Sequence, residues 1–279
     1  MDLVDFKKWA LKEFGIDLFA YKENQLHRRI LSLISRVGAK SIDEYVGILK
    51  DNEMQRQKFL DFITINVTEF FRNPEIFKEF EKEIRNMTLK NNHIKIWSAA
   101  CSIGAEPYSI AIIVNKLGYS SKCSIIATDI DTTILNKAKK GEYIESEIKN
   151  VEKQDLHKYF RNVGDKYIVD ENIKNMITYK RHDLILDSYE GDFDIIVCRN
   201  VVIYFNQDIK EKIYKKFSTS LKKVVCFLLV QQKAFTITRS MDLKKLLLLY
   251  IGSCKEGKLW IHLNICLCFW RNLKTTCRH

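Results

Sequence analysis

Apolar residues recur every three to four positions over the first 63 residues, a spacing typical of amphipathic helices. Breaks at Gly15, Gly38 and Asn52 divide this stretch into successive helices. The clearest of them spaces its apolar residues as Leu26, Ile30, Leu33, Ile34 and Val37. Another helix is predicted to begin at Pro74, with an apolar face formed by Ile76, Phe77, Phe80, Ile84 and Met87. Residues 1–73 are therefore predicted to be a small all-α domain with its linker.

From Ile94 the pattern changes to short apolar runs, each followed by a helical period. The predicted strands are "IKIWSA", "CSIIATDID" and "FDIIVCRN", and the helices after them are "YSIAIIVNKLG", "TTILNKAKKG" and "QDIKEKIYKKFSTSL". Alternating strands and helices indicate a parallel sheet covered on both faces. Ligands of such sheets bind beyond the carboxyl ends of the strands. The sequence thus predicts an α/β domain over residues 74–223 with its site at that edge.

Composition narrows the class of protein. The chain has 279 residues, of which 46% are hydrophobic, enough for one or two cores. Its N-terminus lacks an apolar signal-peptide run, and its longest apolar stretch, "LLLLYIG", is shorter than the roughly 20 residues that span a membrane. Eight cysteines without a CxxC pair favour free thiols over disulfides or a metal site. We expect a cytoplasmic protein without direct membrane insertion.

Residues suited to binding a nucleoside lie at the predicted strand ends. The small-residue turn "AACSIGAEP" follows the first strand, where a backbone can approach a ligand closely, although plain packing also explains a glycine there. Asp129 ends the second strand; a carboxylate there can accept both ribose hydroxyls, or it can cap the next helix. The turn lacks the GxGxxG pattern of a pyrophosphate site. Together with Glu106, these features favour S-adenosylmethionine, a nucleoside cofactor without a diphosphate.

Four motifs resemble one family in order and spacing. They are "NVTEFFRNPEIF", "WSAACSIGAEPYSIA", "ATDIDTTILNKAKKGEY" and "FDIIVCRNVVIYF". The chain is identified as similar to the CheR family, the chemotaxis-receptor glutamate O-methyltransferases, from its N-terminal helices to about residue 223. The resemblance implies a Rossmann-like S-adenosylmethionine-dependent methyltransferase domain preceded by an all-α domain. It also implies methyl-accepting chemotaxis receptors as partners, and we expect a monomer.

The resemblance also implies roles for individual residues. The expected cofactor-binding residues are Asn66, Thr68, Arg72, Glu106, Asp129, Asp183, Leu184, Arg199 and Asn200. Arg72 and Tyr204 are the expected catalytic residues, orienting the acceptor carboxylate. Phe70 and Phe71 are expected to pack between the two domains. Two positions depart from the family: Ala105 replaces an acid, and Asp183 stands where the family has Asn, so it can accept from the adenine amine but cannot donate.

Three other interpretations are open at this point. A nucleic-acid methyltransferase would explain the net charge of +11, but it predicts a D/N-PP-Y/F loop after the third strand, where the chain reads "RNVVIYF". A non-catalytic scaffold would bind the cofactor and only dock receptors; retention of Arg72 and Tyr204 argues against it. The basic positions of the second helix, His27, Arg28, Arg29 and Arg36, are either a solvated face or a docking surface for an acidic partner.

The stretch "KYFRNVGDKYIVDENIKNMITYK" occupies the place of the family's small β-subdomain, which grips a receptor tether in some members. Nothing in these residues indicates whether a tether binds.

The tail from residue 224 to 279 departs from the family. It holds nine Lys and Arg against two acids, and five of the eight cysteines. Reading "KVVCFLLVQQK" back through the genetic code with a one-base shift permits "GGVLFVGSTE", the kind of segment the family has there. We therefore interpret residues 224–279 as out-of-frame translation, the alternative being a divergent C-terminus. On that interpretation the sheet loses its last native strands.

Overall fold

The computed structural model describes residues 1–64, 68–89 and 92–222, together with two strands between residues 226 and 237. The helices of these residues are α1 (Leu3–Phe14), α2 (Glu23–Arg36), α3 (Ile42–Asp51), α4 (Glu53–Thr64), α5 (Pro74–Thr88), α6 (Ala105–Lys116), α7 (Thr132–Lys140), α8 (Glu145–Ile148), α9 (Lys153–Tyr159), α10 (Glu171–Lys174) and α11 (Gln207–Ser220). The strands are β1 (Ile94–Ala99), β2 (Cys123–Asp129), β3 (Glu142–Tyr143), β4 (Phe160–Val163), β5 (Lys166–Val169), β6 (Ile177–Arg181), β7 (Ile195–Cys198), β8 (Cys226–Val230) and β9 (Lys233–Ile237). No described helix is long and apolar enough to cross a membrane.

The first four helices pack around a core of their own, as their periodicity predicts. Asp2 caps α1 by accepting a hydrogen bond from the Asp5 amide, and Gly15 ends that helix in the left-handed region at φ 66°. Glycine relieves the steric cost of that conformation, so the predicted break at this position is confirmed. The fully buried aromatic rings of this core are Phe6, Tyr45 and Phe59. The apolar face of α2 is buried against them.

The main sheet has the strand order β6-β2-β1-β7-β8-β9. Its first five strands run parallel, and β9 pairs antiparallel with β8. Ala99 lies opposite Thr128, and Asp129 lies opposite Arg181, so β1, β2 and β6 end at the same edge. The predicted α/β class and the predicted site edge therefore agree with the topology.

The segment expected to form a β-subdomain divides between two sheets. Strands β4 and β5 form a hairpin around Gly164, which lies at φ 65°, and β3 completes an antiparallel sheet of order β3-β5-β4. Residues 177–180 instead belong to β6, which pairs with β2 in the main sheet. Assigning them to the subdomain was wrong, because only Ile177 at the start of β6 is buried and the strand lacks the continuous apolar run by which the other parallel strands were found.

The first residues of the tail add two strands to the main sheet. Strand β8 pairs with β7 in parallel register, Ile195 opposite Phe227, and β9 returns beside it. Residues 238–279 lie outside the described part, and the frameshift itself remains a prediction.

The linker between the domains is anchored in the core of the sheet domain. Phe70 is fully buried, with ring centroids 4.7 Å from Tyr143 and 5.1 Å from Phe160. Phe71 packs on Phe77 of α5 at 5.4 Å. The expectation that both rings lie between the domains was wrong, since each packs against the sheet domain's own cluster. The linker is therefore packed into the core of the sheet domain.

Hydrogen bonds between described residues join the helical domain to the sheet domain. The turn before α2 is hydrogen-bonded to the turn before α11: the Lys22 amide donates to the Tyr204 carbonyl at 2.9 Å, and the Asn206 amide donates to the Ala20 carbonyl at 2.8 Å. On the other side, Gln57 of α4 contacts Asp131 and Thr133 at the start of α7. A cleft lies between these two contacts, at the carboxyl edge of the sheet.

Candidate functional site

The cleft gathers most of the predicted site residues. Its walls include eight of them: Thr68, Arg72, Glu106, Asp129, Asp183, Leu184, Arg199 and Asn200. They come from the linker, the start of α6, and the ends of β2, β6 and β7, which are far apart in sequence. The space within the cleft, its open mouth included, is about 930 Å³. Asn66 lies outside the described residues.

The turn after β1 has an unusual backbone. Ala100 and Ser102 have φ of 63° and 51°, values that non-glycine residues rarely adopt, and Gly104 follows at 87°. A Cβ on Gly104 would lie 2.9 Å from the Ala138 Cβ and 2.9 Å from the Tyr179 hydroxyl. These contacts with α7 and β6 favour packing, rather than ligand approach, as the reason for the glycine. Its strained neighbours Ala100 and Ser102 line the cleft.

Asp129 is held at the end of β2 by backbone amides. Its Oδ2 accepts from the Ser102 amide at 2.8 Å and its Oδ1 from the Asp131 amide at 3.2 Å. Burial raises the pKa of Asp129. Asp131, rather than Asp129, caps α7, because its Oδ1 accepts from the Thr133 and Ile134 amides. Asp129 is thus not the helix cap, and carboxylate lone pairs remain available for hydroxyl donors.

Glu106 and Arg199 form a buried pair beneath the cleft. The Arg199 Nη1 lies 3.8 Å from the Glu106 Oε2, and Ser98 Oγ donates to Glu106 Oε1 at 2.8 Å. Burial raises the pKa of Glu106, although Arg199 and Ser98 oppose that shift. Arg199 also donates to the Arg72 carbonyl at 2.7 Å. One arginine of the strand end therefore fixes the backbone that carries the other.

Asp183 has one engaged and one unused oxygen. Oδ1 accepts from the Ile185 and Leu186 amides at 2.7 and 3.2 Å, whereas Oδ2 is buried without a hydrogen-bond partner in the described residues. Two other residues that line the cleft have buried atoms without a hydrogen-bond partner among the described residues: Ser102 Oγ and His182 Nε2. Leaving such atoms unpaired costs free energy, so a site with three of them fits a polar ligand.

Tyr204 lies next to the cleft and does not line it. Its half-buried side chain borders a smaller cavity together with Tyr21 and Arg29. Arg29 also stacks on the Phe62 ring, with its guanidinium carbon 4.4 Å from the centroid. Arg29 therefore does not belong to a solvated basic face of α2, although Arg28 and Arg36 are exposed.

Sequence reasoning missed the contribution of the helical domain to the cleft. Ile16, Asp17 and Tyr21 line it, and burial, with Asp183 and Asp129 adding to the effect, raises the pKa of Tyr21. These residues follow the break at Gly15, but no motif marks them. His182 was also missed, although it directly precedes Asp183.

Comparison with known proteins decides the family. The model of the CheR methyltransferase all-alpha domain matches residues 1–64, and that of the CheR methyltransferase SAM-binding domain matches residues 66–243. The chain belongs to the CheR methyltransferase family. The family's SAM-binding domain makes S-adenosylmethionine the cofactor of this methyltransferase.

Curated members of the family are similar in sequence to this chain over most of their length. A chemotaxis protein methyltransferase of Listeria monocytogenes is 38% identical over 224 residues, covering 80% of this chain and 86% of the relative. Proteins of the same name from Borreliella burgdorferi and Escherichia coli are 34% and 33% identical, covering 77% and 75% of this chain and 82% and 75% of the relatives. This chain is a methyltransferase of the chemotaxis family.

The cleft residues fit S-adenosylmethionine by their chemistry. The cofactor carries ribose hydroxyls, an adenine with an exocyclic amine, and a charged amino-acid part, which need acceptors and ionic partners. Asp129 and the unused Asp183 oxygen are acceptors, and Glu106 with Arg199 supplies opposite charges. We expect these residues to hold the cofactor.

Proposed function

We propose that this protein transfers a methyl group from S-adenosylmethionine to glutamate side chains of chemotaxis receptors, forming glutamate methyl esters. The family and the curated relatives support methyl transfer in chemotaxis. The observation that favours a carboxylate acceptor is the position of Arg72, whose side chain lines the cleft on a linker anchored by Phe70 and Arg199.

Methyl transfer to a glutamate requires little acid–base catalysis by the protein. Its reference pKa is about 4.3, so the carboxylate is ionised at neutral pH and no general base is needed. The bound cofactor supplies an electrophilic methyl group. The chain's residues have to orient the acceptor oxygen and remove its water. Arg72 is suited to this by a charge-assisted hydrogen bond, and Tyr204, at the neighbouring cavity, by a phenolic donor.

The contact that orients the acceptor carboxylate should not bind it tightly. The acceptor loses its charge as the ester forms, so an arginine that held the carboxylate too strongly would stabilise the ground state more than the transition state. The carbonyl of Arg72 accepts a hydrogen bond from Arg199, which fixes the backbone that carries the Arg72 side chain. Substitution of Arg72 should accordingly change turnover more than cofactor affinity.

The test uses a purified cytoplasmic receptor fragment and cofactor labelled in its methyl group. We expect methyl label in the receptor that mild base releases as methanol. Methyl esters hydrolyse in mild base, whereas methyl amines do not. Arg72→Ala should lower kcat/KM by about 10²-fold or more, and Arg72→Lys should recover part of it, since lysine keeps the charge without the bidentate geometry. Affinity for S-adenosylhomocysteine, measured by calorimetry, separates cofactor loss from acceptor loss.

Three results would contradict the proposal. Base-stable label would exclude an ester, label in added nucleic acid would favour the other methyltransferase class, and full turnover by Arg72→Ala would remove its assigned role. Arg85→Ala is the matched control: Arg85 lies on α5, where its only described ion pair is with Glu81 on the exposed surface. It should leave transfer unchanged. Sedimentation of the purified chain tests the expected monomer.

A further inference from the structure

The contacts that join the helical domain to the sheet domain differ in kind on the two sides of the cleft. Beside α2 the backbone makes the contact: Tyr21 and Phe205 form an antiparallel bridge, flanked by the hydrogen bonds of the Lys22 and Asn206 amides. The Tyr21 and Phe205 rings also meet edge-on, with centroids 5.1 Å apart. On the other side, the Gln57 side chain of α4 reaches the start of α7. Backbone pairing is available to almost any residue, whereas the second contact depends on the amide of Gln57.

The Gln57 amide is engaged at both of its polar atoms. Nε2 donates to Asp131 Oδ2 at 3.3 Å and to Asp61 Oδ1 at 2.8 Å, while Oε1 accepts from Thr133 Oγ at 2.9 Å. The opposite orientation would turn the amide oxygen towards two carboxylates, which have no hydrogen to donate. Asp61 lies one turn further along α4 and aims the amide at α7. One side chain thus makes two hydrogen bonds across the domain interface.

The turn that Gln57 contacts also carries a residue expected to bind the cofactor. Asp129 lines the cleft and accepts from the Asp131 amide. Ile130, between them, lines the cleft and packs against the core of the helical domain. Asp131 caps α7 with Oδ1, which leaves Oδ2 for Gln57. Three consecutive residues therefore link the cleft, the helical core and the Gln57 contact.

Both domains supply walls of the cleft, and Gln57 lies outside this lining. Ile16 and Tyr21 come from the helical domain, whereas Asp129 and Arg199 come from the sheet domain. A ligand that touches both walls makes all its contacts only while the helical domain is closed over the cleft. Its apparent affinity then scales with the fraction of molecules that are closed. A residue that stabilises closure without touching the ligand should therefore slow ligand release.

We propose that Gln57 is a positioning residue that holds the helical domain closed over bound S-adenosylmethionine, with the backbone contact at Tyr21 and Phe205 as the pivot on which the cleft opens for cofactor exchange. The Gln57 amide stabilises the closed arrangement and does not contact the reacting atoms. Product release requires its two hydrogen bonds across the interface to break. This role depends on the cofactor and is independent of the methyl acceptor.

The rates of S-adenosylhomocysteine binding to the immobilised chain, measured by surface plasmon resonance, test this role. Gln57→Ala should raise the dissociation rate about tenfold, the loss expected for two hydrogen bonds of which one is to a charged group, and should leave the association rate within about twofold of the wild type. Gln55→Ala is the matched control, because Gln55 lies on the same helix and its described hydrogen bond is made by its backbone amide. It should release the ligand at the wild-type rate.

A reversed pair distinguishes domain closure from a general loss of stability. Gln57→Glu replaces the donor by a carboxylate beside Asp131, so release should be at least as fast as in Gln57→Ala. Adding Asp131→Asn restores a donor: Oδ1 can still cap α7, since Asn is about as good an N-cap as Asp, and Nδ2 can donate to the introduced carboxylate. Asp61 is exposed and can turn away from that carboxylate. The double variant should recover a dissociation rate within about threefold of the wild type.

Four results would overturn the proposal. They are a wild-type dissociation rate in Gln57→Ala, an equal rise in Gln55→Ala, a loss of affinity carried by the association rate alone, and no recovery in the double variant. These measurements contain no methyl acceptor, so their failure is distinct from failure of the glutamate methylation assay.

Discussion

Gly104→Ala tests whether the turn after β1 is shaped by packing or by ligand approach. Gly104 lies at φ 87°, and a Cβ there would be 2.9 Å from the Ala138 Cβ and the Tyr179 hydroxyl and 3.2 Å from the Tyr143 hydroxyl. Distances under 3.0 Å force neighbouring atoms to shift. If packing is the reason for the glycine, alanine should destabilise the protein even without cofactor.

Gly118 provides the matched comparison. It has a similar φ of 74°, but nothing lies within 4 Å of the position of its added Cβ. The left-handed conformation costs a non-glycine residue roughly 1–2 kcal/mol, and forcing a methyl group into a packed core costs a further 1–3 kcal/mol or so. We expect Gly118→Ala to lose about 1–2 kcal/mol of unfolding free energy and Gly104→Ala about 2–5 kcal/mol.

Urea unfolding followed by tryptophan fluorescence measures the difference. With an m value of about 2 kcal/mol/M, the unfolding midpoint of Gly104→Ala should fall by roughly 1–2.5 M, against at most about 1 M for Gly118→Ala. Equal midpoints for the two variants would refute the packing argument. A Gly104→Ala protein of wild-type stability that bound S-adenosylhomocysteine weakly would instead show that the glycine serves the ligand.

Two further predictions concern the linker and the response to acid. Phe70→Ala removes a fully buried ring and should cost about 3–5 kcal/mol in unfolding free energy by the same urea assay, whereas Phe71→Ala, at a half-buried position, should cost less; equal costs would contradict the anchoring of the linker at Phe70. Burial lowers the pKa of His182, so the unfolded state takes up its proton first and stability is lost as the pH falls from about 6.5. The Tm of the wild type should therefore fall more between pH 7 and 5 than that of His182→Gln, and parallel Tm curves would contradict this.

Sequence patterns predicted the helices and most strands because the spacing of apolar residues within each of those elements reflects which of its residues are buried. The apolar face of α5 and the continuous runs of β1, β2 and β7 agree with the structure. Strand β6 was misassigned because only one end of it is buried, and its pairing with β2 depends on residues some 50 positions away. Position in a sheet is a tertiary property that such a short strand does not encode by its own pattern.

The candidate site likewise has residues that the sequence predicted and residues that only the structure identified. Resemblance marked the residues of the linker and strand ends, and the fold brings eight of them into one cleft. Tyr21 and His182 carried no motif, since a tyrosine after a glycine break and a histidine after a strand are ordinary in sequence. Their relevance comes from the docking of the helical domain and from the packing of Trp97.

The sequence by itself determined the family, the cofactor and the order of elements, because motif spacing and the periods of buried residues are local features of the chain. Only the tertiary structure decided which atoms at the site are already satisfied. Arg199 is engaged by Glu106 and by the Arg72 carbonyl, whereas Asp183 Oδ2 and His182 Nε2 have no partner in the described residues. Hydrogen bonding depends on distances between groups far apart in the chain, and these exist only once the sheet edge and the helical domain enclose the cleft.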